Sequence, residues 1–137
     1  MPPRRFPPGD SREWLNRARS HLTRAKTCPP GVYLEDLCFD AQQAAEKAIK
    51  AVFIHNGLDF PYVHDLTRLL TLLERTGRKI PKYVREAGRL TRFAVETRYP
   101  GLSERVSGRE HARSVRVAEG VLRWAAGQIG EAPRSRH

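Results

Sequence analysis

Sulfur is scarce in this chain: two cysteines and one methionine in 137 residues. Cys28 and Cys38 form no CxxC and have no histidine cluster nearby, so neither a disulfide framework nor a zinc site is supported, and no metal or cofactor is expected. Long apolar runs are also missing. None approaches the roughly 20 residues needed to cross a bilayer, which excludes a membrane-spanning helix. The opening MPPRRFPPGD has basic residues but lacks the apolar centre and small-residue cleavage site of a secretory signal, so the expected compartment is the cytoplasm. There is no strand-like alternation with hairpin turns, and no glycine-rich phosphate loop, HExxH, GxSxG, or GS followed by paired aspartates. Acidic residues are few beside basic ones, 15 against 25, for a formal charge of +10.

What is present is helical periodicity. In YLEDLCFDAQQAAEKAIKAVFIHN, Tyr33 to Asn56, apolar residues from Leu34 through Phe53 recur at steps of three and four, the spacing that stacks side chains on one helix face. This stretch predicts a central helix lined by small alanines, with Glu46 and Lys50 as a surface i,i+4 pair and Asn56-Gly57 as its stop. Four further helices are expected around it. The first runs from Ser11 to Thr27 behind an Asp10 N-cap and ends at CPPG, because a residue before proline is pushed out of helical geometry. A third begins after Asp65 with a leucine-rich face and runs to Thr76-Gly77. A fourth extends from Lys82 to near Glu96, with Gly88 as a close-packing or weak point. The last spans about Arg109 to Gln128. The fold class is therefore all-α, an up-and-down bundle of about five helices in one domain over residues 10–130. Residues 1–9, holding four prolines, read as a disordered arm, and 131–137 as a flexible tail.

Three segments in order, DAQQAAEKAIKAVFIHNG, then HDL at His64 to Leu66, then TRYPG at Thr97 to Gly101, resemble the HEPN family of small all-helical prokaryotic domains. The resemblance covers roughly Ser11 to Ile129. HEPN bundles commonly dimerise and are often encoded beside a minimal nucleotidyltransferase, in pairs of toxin–antitoxin character. The resemblance therefore implies a homodimeric module that binds a nucleotide or RNA and partners such an enzyme.

Candidate site residues come from both sources. Arg98-Tyr99-Pro100 resembles the RYP element of the branch named for proposed nucleotide binding, and a guanidinium beside a phenol is a workable phosphate-and-base contact. His64, Arg105 and Arg109 join Arg98 and Tyr99 as expected nucleotide- or RNA-binding residues. The spacing of Arg105 and His111 fits the R-x(4–6)-H pattern of the ribonuclease members. That pair is the candidate catalytic couple of an alternative reading, a metal-independent endoribonuclease in which imidazole moves a proton and guanidinium holds the phosphate charge. Val106 follows the arginine where the nucleases usually carry a polar residue. The acids Glu35, Asp36 and Asp40 near the start of the central helix read as complements to its dipole rather than as a catalytic cluster.

Overall fold

The computed structural model of the chain describes residues 2–95 and 105–130. It is all-α. The elements are α1 (Ser11–Thr27), α2 (Leu34–His55), α3 (Leu66–Arg75), α4 (Lys82–Arg85), a 3₁₀ segment (Glu86–Leu90), α5 (Arg92–Val95) and α6 (Gly108–Gln128). Counting α4, the 3₁₀ segment and α5 as one broken run gives five helical stretches, and among the described residues there is no strand.

The expected centre is the centre. α2 packs against α1, α6, α3, the 3₁₀ segment and α5. Its alanines explain how one helix meets so many neighbours: Ala41, Ala44, Ala45, Ala48 and Ala51 are wholly buried, and their short side chains let other backbones approach. Leu69, Leu70 and Leu73 of α3 and Val121, Trp124 and Ala125 of α6 complete one continuous core with Ile49, Val52 and Phe53. Cys38 belongs to that core, as expected of a small hydrophobe; burial pushes its thiol up to about 11, against a hydrogen bond with Ser114 that pulls the other way.

Helix ends follow local chemistry. Asp10, Asp65 and Ser107 each accept a backbone N–H in the first turn of α1, α3 and α6. At the end of α2 the left-handed residue is Gly57, at φ 65°, rather than Asn56. α1 ends on Cys28, held at φ 42° ahead of the two prolines.

Two details differ from expectation. The fourth helix is not continuous: it tightens to 3₁₀ geometry over Glu86–Leu90 before α5. Gly88 lies where that run crosses α3, and a Cβ there would run into Thr67 Oγ1. A close crossing at a residue with poor helix propensity is where a short helix changes its winding. Residues 2–9, outside any helix, lie along α1: Asn16 Nδ2 donates to Arg4 O at 2.9 Å, the Phe6 N–H to Glu13 Oε1 at 2.9 Å, and Trp14 Nε1 to Pro8 O at 2.7 Å.

Candidate functional site

The polar half of the central segment carries a connected network. Asp40, Gln42, Gln43, Glu46, Lys47 and Lys50 recur at the same three-and-four spacing as the alanines, on the flank of α2 that turns toward α1 and the loop before α3. Arg24 of α1 pairs with Asp40 Oδ1 at 3.0 Å, and His21 Nδ1 donates to the same oxygen at 2.9 Å. Lys47 Nζ donates to His21 Nε2 at 3.1 Å and to Gln43 Oε1 at 2.8 Å. Gln43 then donates to Gln42 at 2.7 Å, and Gln42 to Glu46 Oε1 at 2.8 Å. Lys50 and His64 close the chain on Glu46, at 2.8 Å and 2.9 Å. These bonds fix the tautomer of His21: a lysine can only donate, so Nε2 accepts and Nδ1 holds the proton.

Burial gives the network its weight. The Glu46 and Lys50 side chains are only 6% and 8% exposed, so the pair expected on a helix surface is inside the protein. Burial alone would raise the Glu46 pKa, but hydrogen bonds from Lys50, His64 and Gln42 outweigh it, and the carboxyl sits below its ordinary range. His21 moves the other way in charge terms. Burial, helped by Lys47, holds its pKa below the ordinary value against the pull of Asp40, which keeps the imidazole neutral. Burial also lowers the pKa of Lys47, with Glu46 opposing. No buried side-chain polar atom among the described residues lacks a partner.

The start of α6 is a second cluster. His111 Nε2 lies 2.7 Å from the carbonyl oxygen of Ala25, one of the last carbonyls of α1, which have no partner within their own helix. Cys28 Sγ is 3.8 Å from the same nitrogen. Lys26 Nζ pairs with Glu119 at 2.9 Å, so α6 holds the end of α1 at two points. Arg92 pairs with Glu110 at 2.6 Å.

The expected site residues therefore distribute as follows. His64 is seated on Glu46 with its side chain 55% exposed. His111 is committed to α1, at the level of Cys38 and Ser114. Glu46 is eight residues beyond Cys38, about 12 Å further along α2 at 1.5 Å per residue, so the two histidines stand at different heights of the bundle. Arg105 and Arg109 are exposed, and no hydrogen bond or ion pair among the described residues joins either to His111. Arg98 and Tyr99 lie outside the described residues; the partners of Glu46 that are described are Gln42, Lys50 and His64. Asp40 is not part of an acidic cluster with Glu35 and Asp36 but the acceptor for His21 and Arg24. No group of three His, Cys, Asp or Glu side chains placed to hold a metal gathers among the described residues, and no helix there is long and apolar enough to cross a membrane.

The HEPN domain family matches residues 11–129. Two solved structures are similar over nearly their whole length. One, TT1696 from Thermus thermophilus, is 28% identical with a TM-score of 0.75, over 86% of this chain and 97% of that one. The other, ST0689, an archaeal HEPN homologue, is 26% identical with a TM-score of 0.69, over 88% of this chain and 98% of that one. Among curated proteins there is no match.

Proposed function

The chain belongs to the HEPN domain family, and from that membership we propose that it is a nucleotide- or RNA-binding module, homodimeric and cytoplasmic, that partners a minimal nucleotidyltransferase in a toxin–antitoxin-like pair. One observation carries the binding half of this reading: a run of arginines along the last helix is left uncompensated. Arg109, Arg113, Arg116 and Arg123 of α6, with Arg105 just before it, are all exposed and pair with no carboxylate among the described residues. Arg17 and Arg24 of α1, by contrast, have carboxylate partners at 2.7 Å and 3.0 Å. Guanidiniums free of internal partners are available to phosphate, which they can meet with two parallel hydrogen bonds.

The endoribonuclease alternative has less support. Nε2 of His111 donates to the Ala25 carbonyl, which ties the ring to α1, and among the described residues no hydrogen bond or ion pair joins it to Arg105.

Titration of the full chain with ATP, UTP and short RNA at low and moderate salt tests the binding half. Arg105→Ala/Arg109→Ala is expected to weaken binding several-fold and to reduce its salt dependence. Sedimentation at the mass of two 15.6 kDa chains is expected for the dimer. Co-expression with a nucleotidyltransferase encoded beside it should give a complex that survives size exclusion. A folded protein that binds none of these ligands sinks the binding reading, and RNA cleavage in EDTA that is lost in His111→Ala would replace it with the nuclease.

A further inference from the structure

Two hollows adjoin at Val117 of α6, where α6 faces the broken α4–α5 run. One, of about 160 Å³, has Arg89, Arg92 and Arg113 on its walls; the other, of about 290 Å³, has Tyr83, Arg116 and Arg123. Together they form a groove along α6 from Glu110 to Arg123. We propose that this groove is a track for single-stranded nucleic acid, in which Arg113, Arg116 and Arg123 hold successive phosphates and Tyr83 stacks on a base. The inference rests on the nucleic-acid reading above and adds its location, the side of α6 that faces the α4–α5 run.

Four observations carry it. First, the carboxylates in the groove are already neutralised from within, Glu110 by Arg92 at 2.6 Å and Glu86 by Arg89 at 2.8 Å. The guanidiniums of Arg113, Arg116 and Arg123 meet no carboxylate among the described residues and are left for an outside anion. Second, Arg113 and Arg123 are ten residues apart on one helix, about 15 Å at 1.5 Å per residue, which is room for more than one phosphate.

Third, the aromatic ring is placed by the sequence of α6 itself. A Cβ on Gly120 would stand 3.2 Å from Tyr83 Cδ2 and 3.9 Å from Arg123 Nη2, so ring and guanidinium converge over that one glycine. Glycine inside a helix costs about 1 kcal/mol relative to alanine. At Gly120, where φ is not positive, the space it leaves for Tyr83 accounts for it. Tyr83 remains 52% exposed, an aromatic face beside a cation, and such a pair accepts any base.

Fourth, other occupants fit less well. A second copy docked here about a two-fold axis would set arginines against arginines. An acidic protein surface would answer the charge, but of the large hydrophobic residues that stand exposed among the described residues only Tyr83 lines the groove, leaving little apolar centre for a protein interface.

The test is fluorescence anisotropy of the full chain with labelled 12-nucleotide oligouridine RNA, its DNA counterpart and a duplex, at several salt concentrations. Arg113→Glu/Arg116→Glu/Arg123→Glu is expected to weaken single-strand binding at least tenfold and to flatten the log–log salt slope by about 2, near 0.7 for each phosphate no longer held. Arg68→Glu/Arg75→Glu/Lys79→Glu makes the same charge change on exposed residues outside the groove and should alter affinity less than threefold. Tyr83→Ala should weaken binding while Tyr83→Phe retains it, and thermal melts confirm that each variant is folded. The RNA and DNA arms identify which strand is preferred, and preference for either over the duplex supports the track. Equal losses in the two triple variants, unchanged binding in Tyr83→Ala, or equal affinity for the duplex overturn it. If Arg105→Ala/Arg109→Ala abolishes binding while the groove variants bind as wild type, the track is wrong and the proposed function stands. If the wild-type chain binds neither oligonucleotides nor nucleotides, both fall.

Discussion

Removing the carboxylate of Glu46 would leave Lys50 charged and buried with no counter-ion, and the Nδ1–H of His64 with no acceptor. Breaking one side of a buried pair costs about 3–5 kcal/mol, so Glu46→Ala should unfold at a much lower urea concentration than wild type; Glu46→Leu/Lys50→Met, which removes both charges, should recover most of the loss. Acid should act on the same residues in order. Because burial holds the folded pKa of His21 below its ordinary 6.5, the unfolded chain takes up the proton first as pH falls through that value, and stability declines there. The stability that Glu46 contributes is present above its ordinary 4.5 and is lost as pH falls through its lower folded value. A melting temperature measured against pH should therefore fall in two steps, and His21→Gln should lack the first. For His111, the tie to the Ala25 carbonyl makes a loss of about 1 kcal/mol on substitution by alanine the expected effect, read from the same urea curves.

At this scale the sequence was half legible. Apolar periodicity identified the alanines, Ile49, Val52 and Phe53 of α2, but a polar residue at helical spacing reads as solvated until its neighbour is known. Whether Gln42, Glu46 and Lys50 face water is decided by where α1 and His64 arrive, and that is a tertiary fact. The signal in the sequence was the density of amide and charged side chains, QQ, E, K and K, within two turns of an otherwise alanine-rich segment. The same limit applies to Tyr83 and Arg123, far apart in sequence and joined over Gly120.

Elements were more transparent than residues, because caps and breakers act locally. Ser11–Thr27 for α1 is the span that Asp10 and the CPPG turn predict, and α2, α3 and α6 fall within a residue or two of expectation. The exception is the fourth helical run, where apolar spacing from Tyr83 to Ala94 suits a continuous helix and the crossing with α3 interrupts it. Gly88→Ala tests that cause. The added methyl meets Thr67 Oγ1, and turning that exposed side chain out of its rotamer costs about 0.5–1.5 kcal/mol. In Gly88→Ala/Thr67→Ala, where Thr67 keeps only its Cβ 3.7 Å from the new atom, most of that loss should disappear. A double-mutant cycle by urea denaturation reads the coupling directly. Additive effects would mean that the 3₁₀ winding has another origin.

Across the whole molecule, charge and packing are separated. Alanines in α2 bring five elements together without a wide core, and the cations nearest to that centre, Lys47 and Lys50, are tied into hydrogen bonds. The arginines of α6 have no such ties. The formal +10 is therefore borne on the outside, where mobile ions screen it within a Debye length of about 8 Å at 0.15 M salt. Stability should respond little to added salt while affinity for a polyanion falls steeply, a contrast that one series of melts and one of titrations would show. Composition announced the excess charge but could not say which arginines would find carboxylates, since that depends on which helices meet.

The two thiols have very different surroundings: Cys28 is exposed at the turn after α1, and Cys38 is sealed in the core with a pKa of about 11. A maleimide dye at neutral pH should accordingly attach once per native chain, at Cys28, and at both cysteines only after denaturation. The unmodified protein thus comes with a single addressable handle at the edge of His111, from which an environment-sensitive fluorophore would register events at the entrance to the last helix.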